Sequence, residues 1–247
     1  MNDDISRNLE KQIKNASFCL IVPMYNEENN VIQCVESICK FLHKLENRCE
    51  LLVVNDGSFD KTSEKLSKLQ KFYKNLNVET HLENKGYGVA NRTGLAYAFL
   101  KEYDYVLYMD ADLTQDPKYI YDFLYFMNKD IDFIKASRYS LGGGTRGVTL
   151  FRKFISLGGN FIARIFMRLP LSDYTNGFRA IKTKLLKDIN FEENNFAYLI
   201  EETKKVSKFA NSYAEVPYIL KVREKSHSKS KFVYSPSVYF SYLKWLF

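Results

Sequence analysis

The stretch YVLYMDADL, residues 105–113, places an apolar run directly before two carboxylates. Residues 105–109 predict a buried strand, and Asp110 and Asp112 come where that strand ends. Four more runs predict strands: 18–22, 51–55, 78–81 and 133–136. Amphipathic helical spacing fills the intervals, at 31–45, 61–74, 88–101 and 118–128. Strands that alternate with helices of this length predict parallel β-α-β units, and therefore an α/β fold with a mostly parallel central sheet flanked by helices.

Four successive predicted strands end in polar, turn-forming residues. These segments are 23–28, 55–62, 84–88 and 110–113. In an open parallel sheet, ligands bind beyond the carboxyl ends of the strands. The sequence therefore predicts a ligand cleft along one edge of the sheet, and the candidate ligand contacts lie in these four turns.

Asp110 and Asp112 form the strongest candidate site. A turn at the strand end can bring both carboxylates to one ion, and such hard oxygen ligands suit Mg²⁺ or Mn²⁺ shared with substrate phosphates. Two aspartates spaced in this way are also common in solvated turns, which would explain them better if they stood alone. Because they follow a buried strand, and because three other polar strand ends accompany them, we interpret both as metal ligands.

The turn after the second strand is a candidate nucleotide contact. Asp56 can accept hydrogen bonds from a base or a ribose, and Gly57 lets the chain turn tightly beside it. An Asp-Gly turn with Ser58 or Asp60 capping the next helix explains the same residues, and the two interpretations concern different atoms of one loop. For Tyr25, stacking on a base and packing in the core are equally good explanations.

Composition narrows the classes of function. The formal charge of +7 fits an anionic partner, but no nucleic-acid-binding motif accompanies it, so we predict no nucleic-acid partner. Residues 86–88 lack the third glycine of a dinucleotide-binding turn, which argues against a Rossmann dehydrogenase. Four cysteines without C-x-x-C spacing or a nearby histidine predict reduced structural thiols in a cytosolic setting rather than a zinc site.

Two segments indicate contact with a membrane surface, although no apolar run of about 18 residues predicts a span. The helical stretch 150–168, within residues 145–170, mixes bulky apolar residues with arginines. It fits an interfacial helix and, equally well, a core helix with a basic outer stripe. The aromatic segment 230–247 fits an interfacial anchor, the stub of a longer membrane region, or a terminal helix folded back on the domain. Residues 1–16 predict a polar N-terminal extension rather than a signal peptide.

Several motifs together resemble glycosyltransferase family 2 enzymes of the GT-A fold. They are Pro23-Met24-Tyr25-Asn26-Glu27, Asn55-Asp56-Gly57-Ser58, Lys85-Gly86-Tyr87-Gly88, Asp110-Ala111-Asp112-Leu113 and Ser137-Arg138-Tyr139. Three others resemble the polyprenyl-phosphate sugar transferases, of the dolichyl-phosphate mannosyltransferase type: Gly177-Phe178-Arg179, Glu215-Val216-Pro217, and Arg223 followed by Ser228-Lys229. The resemblance runs from about residue 18 to 229, and we take 1–229 as one GT-A catalytic domain.

The resemblance implies a role for each matching position. Donor-binding residues would be Pro23, Tyr25, Glu27, Val54, Asp56, Asp110, Ala111, Asp112, Arg223 and Lys229. The last two of these would close a loop over the donor. Asp110 and Asp112 would bind Mg²⁺ or Mn²⁺ together with the donor diphosphate. Catalysis would rest on Asp112 with Arg138 and Arg152, whose guanidinium groups would face an acceptor phosphate.

The sequence departs from the family pattern at three positions. Asn55 stands where the family usually has an aspartate, a change that we expect to be tolerated. Thr114 replaces a glutamine that helps to bind metal in some mannosyltransferases, which puts metal affinity and donor choice in question. Ser226 replaces a glycine of the closing loop and bears on how that loop moves.

The expected activity is inverting transfer of a hexose, with mannose favoured, from a GDP- or UDP-sugar to a polyprenyl phosphate, by a protein peripheral to the cytoplasmic face of a membrane. A phosphate acceptor is ionised near neutral pH and needs no general base. No candidate base stands out: Glu201 and Glu202 are possible bases, but a solvated helix face explains them better. The alternatives are a family 2 enzyme that acts on a hydroxyl of a glycan or lipopolysaccharide, and a non-catalytic, membrane-associated binding module.

Overall fold

The computed structural model describes residues 15–221 and 236–246. Its strands are β1 (Phe18–Met24), β2 (Cys49–Asn55), β3 (Leu76–Thr80), β4 (Tyr105–Tyr108), β5 (Phe133–Ser137), β6 (Gly144–Thr145), β7 (Arg179–Lys182), β8 (Tyr213–Pro217) and β9 (Ile219–Leu220). Its helices are α1 (Val31–Leu42), α2 (Thr62–Leu69), α3 (Tyr87–Leu100), α4 (Ile120–Asn128), α5 (Leu150–Met167), α6 (Tyr198–Val206) and α7 (Pro236–Lys244). Short 3₁₀ turns lie at Pro117–Tyr119 and Thr183–Leu186.

One seven-stranded sheet, in the order β3-β2-β1-β4-β7-β5-β8, organises the fold. Neighbouring strands pair in parallel except β7, which runs antiparallel to both β4 and β5. The predicted α/β fold with a mostly parallel sheet and flanking helices is confirmed. The sequence predicts no strand at β7, because this strand has four residues with a cation at each end and therefore shows no clear period.

The central strands are buried on both faces, which is why they read as continuous apolar runs. In β1, Phe18, Leu20 and Val22 join one core cluster, while Cys19 and Ile21 join the other. Residues of α1, α2 and α4 cover the first face, and residues of α3 and α6 cover the second. The strand ends are consequently the part of the sheet where polar side chains can meet a ligand.

Helix α5 lies on the surface with an apolar outward side. Asn160 and Ala163 are buried against the domain, whereas several bulky apolar residues are exposed: Leu150, Phe154, Phe161, Ile165 and Phe166. This arrangement does not fit a core helix with a basic outer stripe. None of the helices in the described ranges is long and apolar enough to cross a membrane.

Residues 236–246 fold back onto the domain. The indole Nε1 of Trp245 donates to Glu193 Oε1 at 2.8 Å, and Lys205 Nζ lies 4.6 Å from the centroid of the indole ring. Leu246 is buried and belongs to the second core cluster. Of the three explanations for the aromatic segment 230–247, the terminal helix folded back on the domain is the one that describes residues 236–246.

Candidate active site

A cavity of about 380 Å³ lies at the carboxyl ends of β1, β2 and β4. Its lining residues are Pro23, Met24, Tyr25, Glu27, Asp56, Asn84, Gly86, Tyr87, Ala90, Asp110, Ala111, Asp112, Asn195 and Phe196. All four polar turns singled out in the sequence contribute to this lining. The lining also includes the first turn of α3 and a loop from the second half of the chain.

The cavity brings together most of the predicted donor-binding residues. These are Pro23, Tyr25, Glu27, Asp56, Asp110, Ala111 and Asp112. Val54 does not line it, because its side chain is fully buried in the second core cluster. Arg138 and Arg152 lie outside the lining as well, and Arg223 and Lys229 are not among the described residues.

Two neighbouring side chains orient the paired aspartates. Gln115 donates Nε2 to Asp110 Oδ2 at 2.7 Å, and its Oε1 accepts from the Asp110 amide at 2.9 Å. Asp112 Oδ1 accepts from the Thr114 amide at 3.1 Å and from the Thr114 hydroxyl at 2.7 Å. Leu113, which lies between Asp112 and Thr114 in the chain, has a φ of 63°, a conformation that bulky residues rarely adopt. Thr114, a departure from the family pattern, therefore holds Asp112, while the adjacent glutamine holds Asp110.

Gly177 lets a second chain segment approach the Asp110 carboxylate. A Cβ added at Gly177 would lie 3.1 and 3.3 Å from the two carboxylate oxygens of Asp110, and 3.0 Å from the Tyr87 hydroxyl. A side chain at this position would require Asp110 or Tyr87 to move by a few tenths of an ångström. Burial and the nearby Asp110 raise the pKa of Tyr87 well above its ordinary value, so this hydroxyl stays protonated near neutral pH.

The donor set fits a divalent metal ion that is shared with a substrate. Asp110 and Asp112 both line the cavity. Within residues 15–221 and 236–246, no group of three or more His, Cys, Asp or Glu side chains could hold a metal by itself. Mg²⁺ is usually bound by one or two carboxylates plus substrate phosphates and water, not by a complete protein cage. Two carboxylates facing an open cavity are the protein share of such a site.

Asp56 uses its carboxylate to hold the cavity wall. Its Oδ1 accepts from His81 Nδ1 at 2.6 Å and from the Lys85 amide at 2.9 Å. Its Oδ2 accepts from Asn84 Nδ2 at 2.9 Å and from the Gly86 amide at 2.8 Å. A carboxylate offers about four lone-pair sites, and these four bonds match that number. Direct contact between Asp56 and the donor stays a prediction, and Asn84 and Gly86, which it positions, line the cavity.

The wall formed by Asn195 and Phe196 is not predicted by the sequence. The Phe196 ring stacks on Tyr87 with a centroid distance of 4.9 Å, and the Gly88 amide donates to the Asn194 carbonyl at 2.7 Å. These contacts bring a loop about one hundred residues further along the chain against the start of α3. No local pattern in the sequence signals such a contact.

Arg138 is held by a buried carboxylate. Its Nε donates to Asp173 Oδ2 at 2.7 Å and its Nη2 to Asp173 Oδ1 at 2.8 Å, which is the bidentate geometry of a strong arginine–carboxylate pair. Nη2 also donates to Thr175 Oγ1 at 2.9 Å. Arg152 is exposed in the first turn of α5, where Thr149 is the N-cap. The predicted roles of both arginines toward an acceptor stay predictions.

The interpretation of Glu201 and Glu202 as a solvated helix face is wrong, because both side chains are fully buried. Glu202 forms an ion pair with the Arg179 guanidinium. Glu201 accepts from the backbone amides of Glu192 and Glu193 at 2.6 and 2.8 Å. Strand β7 and the 192–193 loop supply the donors that make burial of these charges tolerable. Neither carboxylate lines the cavity.

Comparison with known proteins agrees with this geometry. The sequence model described as glycosyl transferase family 2 matches residues 19–190, and the chain belongs to this family. It is 30% identical over 216 residues to a dolichol-phosphate mannosyltransferase of Pyrococcus furiosus, an alignment that covers 86% of this chain and 58% of that protein. It is 27% identical over 215 residues to an undecaprenyl-phosphate mannosyltransferase of Micrococcus luteus, covering 85% of each. The chain thus spans somewhat more than half the length of the Pyrococcus relative.

The fold has solved counterparts. The glucosyl-3-phosphoglycerate synthase of Mycobacterium tuberculosis, in complex with Mn²⁺, UDP and glucosyl-3-phosphoglycerate, superimposes with a TM-score of 0.64 at 19% identity. The superposition covers 90% of this chain and 75% of that one. The GT-A fold expected from the motifs is confirmed.

Proposed function

We propose that this protein transfers a hexose, with mannose favoured, from a nucleotide sugar to a polyprenyl phosphate, with Mg²⁺ or Mn²⁺ bound at Asp110 and Asp112. The observation that carries the proposal is the pair of aspartates in a cavity at the carboxyl edge of the sheet. The named activities of the Pyrococcus and Micrococcus relatives support a polyprenyl phosphate as acceptor and mannose as the sugar.

The cavity residues divide the work of binding the donor. Tyr25 and Phe196 offer aromatic surfaces to a nucleobase, while Asn84 and Gly86 lie on the wall that Asp56 holds. Asp110 and Asp112 would hold the metal ion, which when bound neutralises the charge that develops on the leaving diphosphate. The Tyr87 hydroxyl, protonated near neutral pH, can donate to an oxygen of the donor or of the Asp110 carboxylate.

The acceptor side requires positive charge rather than a base. A lipid phosphate is an ionised nucleophile, and it needs cations that position it against the donor. Arg138 and Arg152 are the residues that we assign to this task. The bidentate pair with Asp173 orients the Arg138 guanidinium, so the arginine is preorganised rather than mobile.

Helix α5 supports an attachment to the cytoplasmic face of a membrane. Its outward side exposes Phe154 and Phe161 at 72% and 66% beside Arg152 and Lys153, which is the composition of an interfacial helix. Exchange of both phenylalanines for serine should weaken binding to anionic vesicles about tenfold or more, because each buried aromatic ring contributes about 1.5–3 kcal/mol. Phe72→Ser is the matched control, since Phe72 is 79% exposed and lies in the turn after α2, outside α5. Equal vesicle binding by the parent, the double variant and Phe72→Ser would show that α5 does not contact the membrane.

The enzymatic test uses the full chain with Mn²⁺, a polyprenyl phosphate and a panel of GDP- and UDP-sugars, and detects the sugar-phosphate lipid by mass spectrometry. We expect one donor to give product, and Asp112→Ala to abolish it. Nucleotide release without a lipid product would move the acceptor to a hydroxyl group. Absence of turnover and of nucleotide binding would favour a non-catalytic binding module.

A further inference from the structure

A fully buried ion pair lies behind the candidate metal site. Arg179 begins β7, and its guanidinium pairs with Glu202 of α6, with both side chains completely inaccessible to solvent. The same guanidinium donates Nη1 to the Gly177 carbonyl at 2.7 Å and lies 4.1 Å from the centroid of the Tyr108 ring. A buried pair of this kind often stabilises a protein no more than apolar residues of the same volume would. Stability alone therefore does not account for a fully buried ion pair at this place.

The antiparallel direction of β7 connects this pair to Asp110. Arg179 is the register partner of Tyr108, so the residues before Arg179 run beside the residues that follow Tyr108. Gly177 consequently lies against Asp110, close enough that an added Cβ would be 3.1 and 3.3 Å from the carboxylate oxygens. The Arg179 guanidinium fixes the carbonyl of the residue that contacts the candidate metal ligand.

Tyr87 forms a second connection. Its hydroxyl lies 3.0 Å from the same added Cβ, on the side of Gly177 where the Asp110 oxygens also lie. The Arg179 guanidinium is a hydrogen-bonding and charged neighbour of the same hydroxyl. The tyrosine hydroxyl is therefore close to both the candidate metal ligand and the buried cation.

We propose that Arg179 and Glu202 are positioning residues that hold the Asp110 carboxylate in the orientation that binds a divalent cation, acting through Gly177 and Tyr87. The inference rests on the proposed metal role of Asp110. Outer partners that orient metal ligands typically change metal affinity by about 10- to 100-fold when they are removed. The expected effect of breaking the pair is thus on metal binding rather than on the shape of the whole domain.

The test measures Mn²⁺ affinity by electron paramagnetic resonance, on the full chain with GDP or UDP present and without any turnover. Glu202→Gln keeps the volume of the side chain and removes its charge. The matched control is Asp132→Asn, because Asp132 pairs with Lys182 at the opposite end of β7, with Nζ to Oδ1 at 2.8 Å. Asp110→Asn gives the baseline for loss of the ligand itself. Thermal unfolding shows that each variant is folded at the temperature of the measurement.

We expect Glu202→Gln to weaken Mn²⁺ binding about tenfold or more, and Asp132→Asn to leave it within twofold of the parent. Unchanged Mn²⁺ affinity in Glu202→Gln overturns the inference and leaves the proposed function intact. Equal losses in both variants also overturn it, because the effect would then be a general loosening of β7. If the parent binds no more Mn²⁺ than Asp110→Asn, the proposed metal role and this inference both fail.

A second variant keeps the inference testable if Glu202→Gln does not fold. Tyr87→Phe leaves the ion pair in place and removes only the hydroxyl beside Asp110. We expect it to lower Mn²⁺ affinity severalfold with little change in the melting temperature. Mn²⁺ affinity equal to that of the parent would overturn the connection through Tyr87.

Discussion

The carboxyl edge of the sheet and the layer beneath it use charge in opposite ways. At the edge, Asp110 and Asp112 face a cavity, and their neighbours orient them without enclosing them. In the layer beneath, a set of charged side chains is completely buried: Lys135, Asp173, Arg179, Glu201 and Glu202. All of them have an oppositely charged partner except Lys135, which donates to the Asn176 carbonyl. The difference teaches that the edge presents carboxylates to a ligand, whereas the buried layer fixes the shape of the segment 172–179 on which the edge rests. Substitutions in the two regions should therefore have different consequences.

The largest effect is expected from Asp110→Asn. Loss of one metal-binding charge should lower kcat/KM on the order of 10³-fold, as removal of a preorganised electrostatic contact does in other enzymes. The free energy of unfolding should change by less than about 1 kcal/mol, because the cavity already exposes this carboxylate to solvent. Turnover assays check the predicted kcat/KM, and urea unfolding of the same preparation checks the predicted free energy of unfolding. A loss of stability comparable to that of a buried-layer variant would break the comparison.

Asp173→Asn tests the buried layer. Arg138 would keep its charge without its bidentate partner, and an uncompensated buried charge costs about 3–5 kcal/mol. Urea unfolding measures the loss. Addition of Arg138→Met to Asp173→Asn should recover part of the lost stability, since it removes the orphaned charge. A double variant that is as unstable as the single one would show that the charge was not the cause.

Asp56→Asn sharpens the comparison, because Asp56 lies at the edge but is used like a buried-layer residue. An asparagine would direct an NH₂ group at two of the four donors that the carboxylate satisfies. Unsatisfied buried donors cost about 1–3 kcal/mol, so stability and nucleotide affinity should fall together. Urea unfolding and nucleotide titration check this pair of effects. Weaker nucleotide binding with unchanged stability would instead indicate direct contact between Asp56 and the donor.

Lys135→Met changes how stability depends on pH. Burial, with Arg179 as a second cause, lowers the pKa of Lys135 to about 7, whereas an unfolded lysine titrates near 10.4. Between these values the unfolded chain binds more protons, so the Lys135 contribution makes stability rise with pH by up to about 1.4 kcal/mol per unit. Unfolding at pH 7.0 to 8.5 should show a shallower rise for Lys135→Met than for the parent. If stability rises equally with pH in Lys135→Met and in the parent, Lys135 is charged in the folded state throughout this range.

The strand-ending motifs were readable in the sequence because their signals are local. An apolar run followed by Asp110 and Asp112 reports a buried strand and its end within nine residues, and the site lies where four such ends meet. The family pattern marks Thr114 as a departure, but it gives no role to the adjacent Gln115. Its contact with Asp110 depends on the positive φ of Leu113, which is a property of the folded turn.

The second half of the chain was harder to predict, because its decisive contacts join distant segments. Glu202 and Arg179 lie 23 residues apart, and nothing in the spacing of charges on α6 indicates that its carboxylates point inward. Strand β7 is inserted between β4 and β5 although it follows both in the sequence. A short strand of this kind is defined by its neighbours rather than by its own pattern.

By itself, the sequence determined the α/β class, the positions of the first five strands along the chain and the polar edge, since each of these follows from periodicity and turn chemistry over a few residues. Tertiary structure alone decided which carboxylates are buried. It also placed Phe196 beside Tyr87 and brought Gly177 against Asp110. The physical reason is that burial of a charge depends on a partner supplied from elsewhere in the chain, and the local sequence around one partner carries no record of the other.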